Sequence, residues 1–153
     1  MAKQTKAKAK KPSKAKNASS GLEFNHAMMY VRELAPALKF YVDHLGFKVI
    51  EIYQTAYARL QSPKAWTTIA LHVAAPDQPL SSDGVRLYFE VKELDKFCER
   101  LQGDGVQIAE PPKTMPWGWR HAYLNDPDGH EISLYWAGKK RFQKSTMRRS
   151  VTA

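Results

Sequence analysis

Asn125-Asp126-Pro127-Asp128-Gly129-His130-Glu131-Ile132-Ser133-Leu134-Tyr135-Trp136 is the stretch from which the fold of this 153-residue chain can be read. Its first half is a turn, because Pro127 presets φ, the Asp side chains can bond nearby backbone N–H groups, and Gly129 accepts positive φ. Its second half alternates. Successive side chains of a strand point to opposite faces, so Glu131, Ser133 and Tyr135 share one side and His130, Ile132, Leu134 and Trp136 the other. A strand with a carboxylate, a hydroxyl and a phenol on one face and an apolar back either lines a pocket or presents a solvated surface.

Working outward, the same supersecondary pattern occurs twice. Residues 24–31 read as a strand with His26, Met28 and Tyr30 on one face, and Leu34, Leu38, Tyr41 and Leu45 form a helical stripe ended by Gly46. Strand-like runs follow at 47–53, 57–61 and 66–74, the last with Thr68, Ala70 and His72 on one face. Sixty residues after Val31-Arg32-Glu33-Leu34 comes Val91-Lys92-Glu93-Leu94, and Gly46-Phe47-Lys48-Val49 is matched by Gly105-Val106-Gln107-Ile108. Second-half strands are expected at 85–91, 106–110, 119–124 and 131–136, with Pro111 to Pro116 as a stiff loop. An internal duplication of one strand–helix–three-strand unit is the economical explanation. The expected organisation is a tail over 1–20, one domain over 21–138 with modules 22–74 and 84–137 joined by linker 75–83, and a basic tail over 139–153.

Charge follows the same division. Residues 1–20 carry seven lysines and no acid, and residues 139–153 carry six basic residues and no acid. All 15 acidic residues lie between them, so the basic pI describes the tails and argues little for nucleic-acid binding by the domain. The first tail has too little apolar surface to offset ordering entropy and is expected to be disordered, with at most a weak, salt-sensitive contact to polyanions. It lacks the apolar run of a signal peptide, and no segment approaches membrane-spanning length, so a cytoplasmic location and no membrane partner are expected. The one cysteine, Cys98, excludes an intrachain disulfide framework and lies on a helical apolar stripe with Leu94, Phe97 and Leu101.

The tandem βαβββ pattern, His26 in its first strand, the Leu45-Gly46-Phe47 helix exit and the closing Asp126-Pro127-Asp128-Gly129-His130 hairpin together resemble the vicinal oxygen chelate superfamily. That group includes glyoxalase I, bleomycin-resistance proteins and extradiol dioxygenases, and the resemblance spans residues 22–137. It implies an α+β fold of two modules forming an incomplete barrel around one pocket, closed within a chain or across a homodimer. In metal-dependent members four inward positions ligate one divalent cation. Here these fall on His26, Ala70, Arg86 and Ser133, so only the first keeps a ligand, and Arg86 is a permanent cation. The expectation is therefore a protein without a catalytic metal, binding a small aromatic or anionic molecule between its modules. The alternative is a metal-dependent lyase or dioxygenase using His26, His72 and Glu131 to hold a zinc, nickel, iron or manganese ion.

The candidate pocket residues are His72, Arg86, Tyr88, Glu90, Trp117, Glu131, Ser133 and Tyr135, with His26 as a candidate acid–base group. Arg86 suits bidentate capture of a carboxylate or phosphate, or an ion pair with Glu90 or Glu131. Met115-Pro116-Trp117-Gly118-Trp119-Arg120-His121 offers either an apolar lid over the pocket or a subunit contact.

Overall fold

The computed structural model describes residues 24–81 and 83–138, and the expectations for both tails lie outside the described residues. The first module runs β1 (His26–Val31), α1 (Leu34–Leu38) with a π-helical continuation over Lys39–His44, β2 (Lys48–Tyr53), β3 (Tyr57–Gln61) and β4 (Thr68–Val73). The second runs β5 (Leu87–Glu90), α2 (Leu94–Gly103), β6 (Ile108–Thr114), β7 (Arg120–Asn125) and β8 (Glu131–Trp136). Each module folds into its own four-stranded sheet, in the orders β1-β4-β3-β2 and β5-β8-β7-β6. The strand before the helix pairs parallel with the last strand of its module, and the remaining pairs are antiparallel.

Alternation decides what each sheet buries. Met29, Val31, Leu60, Ile69 and Leu71 of the first sheet belong to one buried cluster with Leu34, Ala37, Phe40 and Tyr41 of its helix, and Leu124, Ile132 and Leu134 of the second sheet join it with Leu94, Cys98 and Leu101. Phe47 and Phe89 meet edge to face across the modules, 5.5 Å between ring centroids. Burial first, and then the nearby Asp95 carboxylate, pushes the Cys98 thiol up to about 11. The residue packs as a small hydrophobe.

The two helices differ by one residue, and the structure shows where it goes. The repeat spacing is 60 from Leu34 to Leu94 and 59 from Gly46 to Gly105. The helix α2 ends in a Schellman pattern, with Gly105 N–H donating to Gln102 O at 3.0 Å and Val106 N–H to Leu101 O at 2.9 Å. In the first module Leu45 N–H reaches Phe40 O, five residues back, and Phe47 N–H reaches Tyr41 O, six back. The extra residue is absorbed as a π-turn, where the sequence pattern had implied an unbroken α-helix. Both exits then turn on a glycine at positive φ, +80° at Gly46 and +84° at Gly105.

A second difference concerns Pro111 and Pro112, expected in a loop. Strand β6 continues through them to Thr114, with register shifts between Ile108 and Glu110 and between Glu110 and Lys113. It is the edge of its sheet, where proline has no ladder bond to lose, and bulges accommodate it. At the other outer edge, all six residues of β2 are exposed, including Val49, Ile50, Ile52 and Tyr53.

The hairpin 126–130 is also the joint between the modules. Asp126 is 5% exposed. Its carboxylate accepts from Tyr41 Oη–H at 2.9 Å, Asp128 N–H at 3.0 Å, His130 N–H at 2.8 Å and His130 Nδ1 at 2.8 Å. Asp128 accepts from Arg32 N–H at 2.9 Å. A turn that looks local in sequence therefore holds the first module's helix and strand exit. Burial, and then Asp126, raises the Tyr41 phenol well above its ordinary value, so it donates at every physiological pH.

Candidate functional site

Each sheet packs one face on its helix and turns the other away, and the two open faces carry different chemistry. On the first sheet Met28 pairs with Ala70 and Ala70 with Arg59, while Tyr30 pairs with His72 and His72 with Tyr57. The His72 ring lies 5.7 Å from Tyr30 and 6.4 Å from Tyr57, and its Nδ1 lies 2.8 Å from the Val73 carbonyl. His26 opens β1, half-buried, its Nδ1 2.8 Å from Asn25 Oδ1.

The second sheet presents an aromatic layer. Leading into and along β7, Trp119-Arg120-His121-Ala122-Tyr123 alternates so that Trp119, His121 and Tyr123 share a side, and register sets His121 opposite Tyr135 and Tyr123 opposite Ser133. The Trp119 ring stacks on His121 at 6.3 Å and 9° and on Tyr135 at 5.5 Å and 17°. His121 lies similarly over Tyr123 at 5.9 Å and Tyr135 at 5.6 Å. Two half-exposed rings stand nearly perpendicular to the imidazole: Tyr88 at 6.3 Å and 84°, and Trp117 at 5.8 Å and 76°. Trp117 occupies a tight turn closed by Gly118 N–H to Met115 O at 2.8 Å.

Beneath these rings, Ser133 is fully buried and its Oγ lies 3.0 Å from His121 Nδ1. His121 is 4% exposed. Burial, and then the Arg86 cation, lower its pKa, so the imidazole is neutral at pH 7. At the end of the face Arg86 pairs with Glu131 at 2.5 Å, and its guanidinium lies 5.0 Å from the Tyr123 ring centroid. The Glu131 hydrogen bond is the chief reason that its pKa is raised.

Of the residues singled out from sequence, the structure gathers Arg86, Tyr88, Trp117, Glu131, Ser133 and Tyr135 on this one face. Glu90 pairs in register with Tyr135 beside them. His26 and His72 are on the other sheet, where His26 Nδ1 meets Asn25 Oδ1 and the His72 ring meets Tyr30, Tyr57 and the Val73 carbonyl. A cavity of about 250 Å³ links the sheets at their inner edges, with Met28 and Tyr30 on one side and Leu87 and Glu131 on the other. The key residue that pattern reading passed over is His121. Its signal was present, since period-two alternation through 119–123 places it between two aromatic residues.

The four family ligand positions do not fit a divalent ion here. Ala70 has no donor, Arg86 is cationic and paired with Glu131, and Ser133 is buried against His121. The alternative set is dispersed, with Glu131 held by Arg86 on one sheet and His26 and His72 on the other. Among the described residues, no group of three or more His, Cys, Asp or Glu could hold a metal ion. Metal sites need converging neutral or anionic donors.

The duplicated βαβββ unit and its paired sheets define a glyoxalase-like α+β domain. Residues 23–134 match the Glyoxalase/Bleomycin resistance protein/Dioxygenase superfamily, and the chain belongs to it. Among its relatives, a probable lactoylglutathione lyase of Synechocystis is 22% identical over 76% of this chain and 96% of its own length. TnmS3, an antibiotic binding protein from Streptomyces sp. CB03234, superposes with a TM-score of 0.64 at 29% identity, covering 76% of this chain and 97% of its own. A superfamily member from Sphaerobacter thermophilus gives 0.61 at 26% identity, covering 75% and 97%. No described helix is long and apolar enough to cross a membrane.

Proposed function

We propose that this protein binds a flat aromatic small molecule on the open face of the second sheet, between Tyr88 and Trp117, and that no metal takes part. The observation that carries this reading is the pair of half-exposed rings standing over a buried aromatic floor. Small-molecule sites are apolar walls with few polar groups, and stacking surfaces favour planar ligands. An anionic ligand is the weaker choice, because Arg86 is already committed to Glu131. The kinship with an antibiotic binding protein supports binding without turnover.

Association into a homodimer belongs to the same reading. Exposed Val49, Ile50, Ile52 and Tyr53 form an apolar edge that a second copy would cover. A single buried cysteine suits a reducing cytoplasm, and the lysine-rich tail would add only a salt-sensitive polyanion contact.

Calorimetric titration with naphthalene-2-sulfonate tests the site. Trp117→Ala is expected to weaken binding about tenfold, a typical stacking contribution of about 1.4 kcal/mol, and Tyr30→Ala on the first sheet to leave it unchanged. Equal losses for both variants would place the site elsewhere. The Synechocystis relative favours a second reading, a metal-dependent lyase. It requires a full equivalent of divalent metal in the native protein and activity abolished by chelation.

A further inference from the structure

The aromatic face contains one polar atom with nothing to bond. His121 Nε2 is buried and has no hydrogen-bond partner, while Nδ1 of the same ring is held by Ser133 Oγ at 3.0 Å. Buried polar atoms are nearly always paired, because an orphan forfeits its bonds to water and gains none in return. A ring placed only to fill space would carry no such cost as Phe. On the other sheet His72 makes its backbone hydrogen bond from a half-exposed position, while Arg59 Nε is also buried without a partner.

We infer that His121 is the specificity-determining polar anchor of this site, and that its Nε2 hydrogen-bonds a hydroxyl group carried at the edge of the bound aromatic molecule. The inference rests on the reading that this face binds a flat ligand. The choice of a hydroxyl follows from the tautomers. A neutral imidazole has one donor and one acceptor. If Ser133 O–H donates to Nδ1, then Nε2 carries the proton and donates; if Nδ1–H donates to Ser133 Oγ, then Nε2 accepts. A carbonyl serves only the first case, an amine-type donor only the second, and a hydroxyl serves both. The ligand class is therefore an aromatic alcohol or phenol.

Trp117 borders the imidazole on its exposed side. It packs edge-on against the imidazole from the turn at Met115–Gly118 and is 48% exposed, whereas Trp119 and Tyr135 lie stacked against the ring. Tyr88, 54% exposed, stands edge-on to the same imidazole, so movement of either exposed ring is the route by which a ligand would reach Nε2. Ser133 acts through His121, as a positioning residue that holds the ring plane.

The test uses the full chain and two probes that differ by one hydroxyl, naphthalene-2-sulfonate and 6-hydroxynaphthalene-2-sulfonate, titrated calorimetrically. The wild-type protein is expected to bind the hydroxylated probe about tenfold more tightly. His121→Phe should lose the preference and bind both probes equally, and His121→Gln, whose amide offers both a donor and an acceptor, should recover part of it. In wild type, the His121 Nε2 nitrogen resonance should move with the hydroxylated probe and hold still with the other. Equal binding of both probes by wild type overturns the inference and leaves the aromatic site standing, as does a preference that survives in folded His121→Phe. Failure of wild type to bind either probe removes the site and the inference together. Should His121→Phe not fold, the wild-type preference and the nitrogen resonance decide the matter alone.

Discussion

The two sheets are copies of one unit that keep the same buried side and present different open sides. Toward the helices, Met29, Val31, Ile69 and Leu71 of the first sheet are matched by Phe89, Ile132 and Leu134 of the second. On the open side, the central row of the first sheet is Met28, Ala70 and Arg59, while that of the second is Tyr88, Ser133 and Tyr123. A duplicated scaffold must preserve the residues that fill its core, because close-packed interiors feel a change of even one methylene. The open side carries no such constraint and is free to specialise. Here the second sheet has become an aromatic face around a buried histidine, and the first has kept a dispersed polar one.

The largest expected effect comes from breaking the joint that the two copies share. Asp126→Ala removes the acceptor of Tyr41, Asp128 and His130 and leaves the buried Tyr41 hydroxyl unsatisfied. Hydrogen bonds to a buried charge are worth about 1.5–3 kcal/mol each, so a loss of at least about 3 kcal/mol is expected in urea unfolding, affecting both modules in one transition. Separate transitions would show that the copies fold independently.

A smaller effect separates two histidines by sign. The hydrogen bond to Asp126 is the main reason that His130 titrates above its ordinary value. Its stabilising contribution is thus full below the unfolded value of about 6.5 and fades as pH rises through the raised folded value. His121 is lowered by burial and then by Arg86. The folded protein therefore loses stability as pH falls from about 6.5 through the depressed value. Urea midpoints at pH 5.5 and 8 should show His130→Gln more damaging at pH 5.5 than at pH 8, and His121→Gln less damaging at the lower pH. Shifts of the same sign in both variants would contradict the two environments.

The smallest effect is expected at the rim. Arg86→Gln removes a pair whose side chains are 38% and 41% exposed, and exposed pairs contribute at most about 1 kcal/mol. A larger loss in thermal unfolding would mean that the Arg86–Glu131 pair organises the aromatic face.

Most of the architecture was legible because it depends on periodicity. The alternation at 131–136 placed Ser133 and Tyr135 on one side, and the repeat of Val-Arg-Glu-Leu as Val-Lys-Glu-Leu located both helices. The π-turn was hidden, although the change of repeat spacing from 60 to 59 records it, because a helical stripe looks alike with one residue added. The prolines of β6 misled for a local reason: their cost depends on whether a neighbouring strand needs their N–H groups, which is a matter of sheet order. His26 and His72 were read as one wall of a cavity between the modules, with Arg86 at its floor; they stand on the first sheet, where His26 Nδ1 meets Asn25 Oδ1 and His72 Nδ1 meets the Val73 carbonyl. His121 was missed because its importance lies in what surrounds it, five rings drawn from three strands and a turn.

The outer edges of the two sheets differ in their capacity to take up another strand. At one end β6 carries Pro111 and Pro112, which have no N–H to offer an incoming strand; at the other, β2 carries Val49, Ile50, Ile52 and Tyr53 with no proline. Of these two outer edges, only β2 is free of proline. If two copies paired β2 with β2, the same patch would be used on both partners, and growth by that route would stop at two.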